Sequence, residues 1–61
     1  MKNYILINEE GCIFGRVTKS NYKAARKYFA NYFANTVSGK GFIIREFDEN
    51  RNFLKKYTPK F

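Results

Sequence analysis

The side chains of this sequence that could do covalent or metal chemistry are few. The chain has no histidine, so the most common general base and metal ligand near neutral pH is missing. One cysteine without histidine cannot build a zinc site from nitrogen and sulfur ligands. Carboxylates occur at Glu9 and Glu10 and again at Glu46, Asp48 and Glu49, in segments that resemble turns. We therefore expect a protein that is not an enzyme and that holds no metal or cofactor.

Basic side chains offer a second kind of chemistry. Twelve Lys and Arg stand against five Asp and Glu, which gives a formal charge of +7. A surface that carries such an excess on one side binds phosphates with a strong dependence on salt and little dependence on sequence. The same charge also suits an acidic protein partner, or simply solubility. We predict nucleic acid, DNA or RNA, as the first choice of ligand.

The predicted nucleic-acid contacts group around the start of a helix and near the end of the chain. The residues assigned to phosphates are Lys19, Lys23, Arg26, Lys27, Lys55 and Lys56. Arg16 and Asn31 are the candidates for contacts with bases. Since most of these contacts would be to phosphate, we expect weak sequence specificity.

Two hairpins and one helix are predicted to position these residues. Residues 4–7 and 12–17 are β-branched and aromatic runs, and Asn8 and Gly11 between them are typical of a turn with a left-handed glycine. Strict alternation places two sets on opposite faces of this hairpin. The first set is Ile5, Ile7, Ile13 and Val17, and the second is Tyr4, Leu6, Cys12, Phe14 and Arg16.

The helix is predicted over residues 21–37, with Ser20 as N-cap and Gly39 as C-cap. Residues 42–47 and 53–57 then form a second hairpin, in which Asp48 stands where Asn8 stood and Arg51 where Gly11 stood. The predicted fold class is therefore α+β, a single domain over 1–61 of order ββαββ. One antiparallel sheet of two hairpins would carry the helix on one face. Residues 58–61 are expected to be a frayed tail, unless Phe61 docks.

One helix leaves the other face of the sheet uncovered, and an uncovered apolar face usually marks an interface. We assign Tyr4, Leu6 and Phe14 to that interface, or their neighbours along the strands if the helix covers the other side. Tyr28, at the border of the helix, is a further predicted interface residue. The occupant is a second copy of the chain, another protein, or stacked bases. The alternative function is thus a small accessory or inhibitor protein, of the phage or mobile-element type, that binds a larger host protein.

The compartment is predicted from the cysteine and from hydropathy. No apolar run approaches the roughly 20 residues that span a bilayer, and polar residues interrupt the first apolar stretch, so we expect neither a membrane helix nor a signal peptide. Binding to a membrane surface through the helix ranks last, because the apolar side of the helix is needed for the core. The lone Cys12, expected to be buried, fits a reducing cytoplasm. No string of residues indicates a known family.

Overall fold

A computed structural model of the chain describes residues 1–37 and 41–61. Its elements are β1 (Lys2–Asn8), β2 (Ile13–Lys19), α1 (Tyr22–Tyr32), α2 (Ala34–Val37), β3 (Phe42–Phe47) and β4 (Phe53–Tyr57). The four strands form one antiparallel sheet in the order β2-β1-β3-β4. The predicted ββαββ arrangement of the α+β class is confirmed, with the helical segment in two pieces on one side of the sheet.

The helix starts and breaks at positions that differ from the prediction. Asn21 is the N-cap, because its Oδ1 accepts a hydrogen bond of 2.9 Å from the amide of Ala24. The predicted cap Ser20 lies one residue too early. Phe33 leaves the helical conformation with φ −124° and ends α1, and its carbonyl then accepts from the amides of Thr36 and Val37 to start α2. The predicted C-cap Gly39 lies outside the described residues.

The two hairpins have the same turn, as predicted. Asn8 Oδ1 accepts from the backbone amides two and four residues later, both at 2.9 Å, and Asp48 Oδ1 does the same at 2.9 and 2.8 Å. Three residues after Asn8 and Asp48 the backbone is left-handed, with φ 87° at Gly11 and 67° at Arg51. An Asx-type turn closed by a left-handed residue therefore connects both pairs of strands.

Each hairpin also contains one extra residue. Leu6 lies opposite Gly15, but Ile7 lies opposite Ile13, so Phe14 between them has no partner on β1. The second hairpin repeats this β-bulge, with Glu46 opposite Lys55, Phe47 opposite Phe53, and Leu54 as the extra residue. In register and turn the two hairpins are equivalent at an offset of 40 residues.

The first bulge overturns part of the predicted alternation. Because an extra residue moves every later side chain to the opposite face, Arg16 shares a face with its partner Ile5, and Val17 shares a face with Tyr4. Strict alternation had placed Arg16 with Tyr4 and Val17 with Ile5. The prediction was wrong because it allowed no bulge at Phe14.

The helix covers the face of the sheet that carries Tyr4 and Leu6. The buried core consists of Tyr4, Leu6, Ala25, Phe29, Val37, Phe42 and Ile44. Gly15 lets the helix approach β2 closely, because a Cβ built there would lie 2.8 Å from Cζ of Phe33. Burial of this apolar surface is the main stabilising contribution.

Two of the four predicted interface residues, Tyr4 and Leu6, lie on the covered face, so the structure has the alternative in which their neighbours face outward. Tyr4 and Leu6 are 0% exposed beneath the helix and present no surface to a partner. Tyr28 is half-buried on α1, packed edge-to-face on Phe29 at 5.6 Å. Phe14 is exposed, but its ring meets Phe42 edge-on at 5.1 Å, at the margin of the helix side. The uncovered face instead carries Asn3, Ile5 and Ile7, the neighbours of Tyr4 and Leu6 along β1.

The end of the chain packs against the helix. Phe61 is half-buried against the core, and Nη2 of Arg26 donates a hydrogen bond of 2.9 Å to the carbonyl of Lys60. The guanidinium carbon of Arg26 also lies 5.6 Å from the centre of the Phe61 ring. Of the two alternatives for residues 58–61, the structure has the docked one, so the expected frayed tail is corrected.

A buried carboxylate lies in the third strand, within the range 42–47 that the sequence predicts as a strand. Glu46 belongs to β3, is 6% exposed, and accepts hydrogen bonds from the hydroxyls of Tyr4 at 2.5 Å and Tyr57 at 3.4 Å. Lys2 Nζ lies 3.8 Å from the same carboxylate. These donors offset the cost of removing the charge from water. Burial, followed by the neighbouring Glu46, raises the pKa of both Tyr4 and Tyr57.

Removal of the Tyr4 hydroxyl, which makes the shorter of the two hydrogen bonds to Glu46, tests how much this buried contact stabilises the fold. We expect Tyr4→Phe to lower the free energy of unfolding by about 2 kcal/mol, because Glu46 loses a donor that it cannot replace with water. Urea unfolding of the variant and of Tyr32→Phe, a change at an exposed residue, provides the comparison. Equal stability of the two variants would contradict a structural role for the Tyr4–Glu46 contact.

The raised tyrosine pKa values also predict a pH dependence. A phenol is neutral when protonated, so a raised pKa in the fold means that folding favours the neutral form. The corresponding stability is present below the ordinary phenol pKa of about 10 and is lost as the pH rises above it. We expect the free energy of unfolding to fall above about pH 10, and to fall less steeply in Tyr4→Phe, when both are measured by urea unfolding across this range.

Candidate ligand-binding face

The side of the sheet turned away from the helix, here called the open face, carries a row of three cations that spans the sheet from β2 to β4. The row follows the cross-strand pairs from Arg16 on β2 through Ile5 on β1 and Arg45 on β3 to Lys56 on β4. Residues directly opposite each other in antiparallel strands lie on the same face, so these four side chains project together. Arg16, Arg45 and Lys56 are all exposed. We call these three residues the basic row.

The strands provide no acid to neutralise the basic row. Glu46 is the single acidic residue within the four strands, and it lies on the helix side. The other four carboxylates belong to the two hairpin turns. Within residues 1–37 and 41–61, neither of the ion pairs includes a member of the basic row. The charge of the open face is therefore available to an external anion.

A depression lies at one end of the open face, next to the basic row. Its volume is about 560 Å³, and the residues lining it include Asn3, Ile5, Arg16, Thr18, Phe47 and Arg51. Asn3 organises this region, because its Oδ1 accepts from Thr18 Oγ1 at 3.0 Å and its Nδ2 donates to the carbonyl of Asp48 at 3.1 Å. The second hairpin turn, and with it Arg51, is thereby fixed beside β1.

Arg51 occupies a backbone conformation that favours glycine. Its φ of 67° is left-handed, and the equivalent residue of the first hairpin is Gly11. A residue with a Cβ in this conformation costs about 1 kcal/mol relative to its ordinary one. Such local strain is concentrated at functional sites. The unfavourable choice of residue, together with the place of Arg51 at the depression, makes this arginine a functional candidate.

The two ends of the open face differ in chemistry. Phe47 and Phe53 lie beside the Arg51 end, with ring centres 5.7 Å apart in an edge-to-face arrangement, and Phe53 is 56% exposed. At the other end, Ile7 lies opposite both Ile13 and Ile43, and Ile13 is 51% exposed. One end is thus aromatic and basic, and the other is aliphatic.

Several cations on the helix side already have partners within the protein. Lys19 Nζ lies 5.4 Å from the centre of the Tyr28 ring, and Lys55 Nζ lies 5.0 Å from that of Tyr57. Arg26 contacts the chain end as described above. These contacts reduce the freedom of the three cations to reach a ligand.

The outer surface of α1 carries a separate basic stripe. Lys23, Lys27 and Asn31 are exposed and follow each other at intervals of four residues, so they lie along one side of the helix. This stripe and the open face lie on opposite sides of a molecule whose smallest extent is 15 Å. A ligand bound flat on one side does not reach the other.

The structure therefore divides the predicted nucleic-acid site into two. Arg16 and Lys56 lie together on the open face, whereas Lys19, Lys23, Arg26, Lys27, Lys55 and Asn31 lie on the helix side. Sequence reasoning missed Arg45 and Arg51 as site residues. A prediction that β3 pairs with β1 would have placed Arg45 beside Ile5 on the open face. The sequence signal for Arg51 was that it takes the position that Gly11 has in the first hairpin turn.

Cys12 is exposed next to the first turn, so the expectation that it is buried was wrong. Its amide donates to Asn8 Oδ1, and its backbone belongs to the turn and not to a strand. Neither described helix has the length and apolar character needed to cross a bilayer.

The comparisons with known proteins assign no family to this arrangement. No protein-family model matches the chain, and no curated protein or solved structure is significantly similar to it. A functional interpretation therefore depends on the fold, the basic row and the depression.

The backbone strain at Arg51 predicts an unusual mutational effect. We expect Arg51→Gly to raise the free energy of unfolding by about 0.5 kcal/mol, because relief of the left-handed strain exceeds the entropy cost of glycine. The matched variant Gly11→Arg, at the equivalent position with open space around it, should lower that free energy by about 1 kcal/mol. Urea unfolding measures both. Lower stability of Arg51→Gly would mean that the arginine side chain supports the fold.

Proposed function

We propose that this protein is a non-enzymatic nucleic-acid-binding module and that the open face is its contact surface. The observation that carries the proposal is the basic row, which crosses the sheet without an acidic residue beside it. Three of the four arginines of the chain, Arg16, Arg45 and Arg51, belong to this face or line its depression. A guanidinium binds phosphate oxygens in a bidentate manner and stacks on planar groups.

The lysines of the helix side have a secondary role in this proposal. Lys23 and Lys27 add to the long-range positive field that attracts a polyanion, without lying at the contact itself. In this proposal, the helix-side lysines that the sequence analysis assigned to phosphate contacts act instead through their long-range attraction of the polyanion. Variants at these lysines should change the rate of association more than the rate of dissociation.

The same charges bear on a homodimer, since a second copy of the chain is one of the three predicted occupants of the uncovered face. Two copies joined through their open faces would bring two basic rows together without an acid to separate them, which is unfavourable. We therefore propose that the protein binds nucleic acid as a monomer. Sedimentation equilibrium of the free protein tests this, and a dimer would require a different interface.

A substitution at the centre of the basic row tests the contact surface. We expect Arg45→Ala to weaken binding of a fluorescent oligonucleotide roughly tenfold in anisotropy titrations and to reduce the salt slope by about one. Arg45 is exposed, so the fold should remain intact. The control is Lys27→Ala on the outer side of α1, which removes the same amount of charge and should weaken binding by less than about threefold.

Equal losses in Arg45→Ala and Lys27→Ala would contradict the assignment of the open face and would indicate a non-specific attraction. A larger loss in Lys27→Ala would transfer the contact surface to the helix. Circular dichroism of both variants confirms that the comparison concerns folded proteins.

A second candidate function is favoured by the aliphatic end of the open face. Ile13 is half-exposed beside Ile7 and Ile43, which suits contact with another protein better than contact with a base. This corresponds to an accessory or inhibitor protein, of the phage or mobile-element type, bound to an acidic surface of a larger host protein. A partner retained after nuclease treatment, and lost with Ile13→Ala, would support this function over the first.

The exposed thiol of Cys12 supports a cytoplasmic location within this proposal. A single exposed cysteine in an oxidising compartment would form intermolecular disulfides, whereas a reducing cytoplasm keeps it free. In intact cells, Cys12 should react with a membrane-permeant maleimide and not with an impermeant one. Labelling by the impermeant reagent would contradict the assignment.

A further inference from the structure

We infer that the open face selects single-stranded over double-stranded nucleic acid and that the depression beside Arg51 holds one unstacked nucleotide. The inference rests on the proposed function and specifies its ligand. It combines three observations, which are the width of the sheet, the shape and lining of the depression, and the exposed ring of Phe53.

The sheet is too wide to enter the major groove of undistorted B-DNA. Four strands have three spacings of about 4.8 Å, so the axes of the edge strands lie roughly 14 Å apart before side chains are added. The major groove of B-DNA is about 12 Å wide and admits a helix or a two-stranded ribbon. The open face can therefore meet undistorted B-DNA only at its phosphates, and the apolar residues beside the basic row would then have no ligand.

The depression provides what a single nucleotide requires. Its volume of about 560 Å³ lies within the range of small-molecule sites. Ile5 and Phe47 contribute apolar surface for a base, while Arg16 and Arg51 provide guanidinium groups for phosphates or for stacking. A base can enter such a site only after it leaves a stack, which costs less in a single strand than in a duplex.

Phe53 provides a second aromatic surface next to the depression. Its ring packs edge-to-face on Phe47, and the residue is 56% exposed, so much of the side chain is accessible to a ligand. Stacking of a base on such a ring tolerates any sequence. The bound strand would place one base in the depression and the next on Phe53, with its phosphates along the basic row.

An acidic peptide would match the charges of this face equally well. The rings of Phe47 and Phe53 and the planar guanidinium groups favour successive planar ligands, which a single strand provides at every residue and a peptide does not. We therefore argue for the nucleic acid. DNA and RNA share the chemistry used here, and the choice between them is left to separate arms of the experiment.

The experiment compares three labelled probes with the full chain. They are an oligothymidylate and an oligouridylate of about 12 nucleotides and a mixed-sequence DNA duplex of the same length, titrated at about 50 and about 200 mM salt. We expect both single strands to bind at least roughly tenfold more tightly than the duplex at the lower salt concentration. Tighter binding of one single strand than of the other would identify the sugar that the site prefers.

Two variants locate the contact, and each has a matched control. Phe53→Ala should weaken binding of the single strands about tenfold and leave duplex binding nearly unchanged, because it removes a stacking surface and no charge. Ile13→Ala, at the equivalent position of the other hairpin and of similar exposure, should change the affinity by less than about twofold. Arg51→Gly should weaken single-strand binding while the fold remains intact, since glycine suits the left-handed backbone.

The outcomes separate this inference from the proposed function. Equal affinity for single strands and duplex, with no effect of Phe53→Ala, would overturn the inference and leave nucleic-acid binding in place. Equal losses in Phe53→Ala and Ile13→Ala would overturn the location at the Arg51 end. No binding of any probe at about 50 mM salt would overturn both the inference and the proposed function.

Discussion

The extra residue in each hairpin is the constraint on which the surface of this protein depends. Side chains of a strand alternate between two faces, so one inserted residue exchanges the faces of all that follow. The bulge at Phe14 places Val17 over the core and Arg16 on the open face. Without it, a guanidinium would point towards the helix and a valine towards solvent. The same bulge therefore determines which β2 side chain packs in the core and which one belongs to the basic row.

The two hairpins form a nearly symmetric frame with asymmetric side chains. Their turns, bulges and registers are equivalent, and the central pair Ile5–Arg45 lies on the pseudo-twofold axis that relates them. Symmetry is broken where Gly11 corresponds to Arg51 and Ile13 to Phe53. These differences make one end of the open face aliphatic and the other end basic and aromatic. Under the proposed function, the basic and aromatic end is the one that binds the ligand.

Much of the fold was predictable from local signals. The turn residues Asn8, Gly11 and Asp48 and the apolar runs beside them indicated two hairpins, and the helix followed from its apolar periodicity. The candidate site was harder to predict from the sequence, because bulges and non-local strand pairing decide on which face of the sheet a side chain lies. The partnership of Arg45 with Ile5 joins residues far apart in sequence, and no local pattern marks it. Burial of Glu46 likewise depends on hydroxyl groups from Tyr4 and Tyr57 on two other strands.

The equivalence of the two hairpins has a consequence for the polarity of any extended ligand. A polynucleotide has a direction, whereas a twofold frame by itself treats both directions alike. Only the side chains that break the symmetry can orient such a ligand, and Arg51 and Phe53 are the main ones on the open face. Under the proposed function, these two residues at one end of the frame would therefore give the bound strand a fixed 5′-to-3′ direction across the sheet.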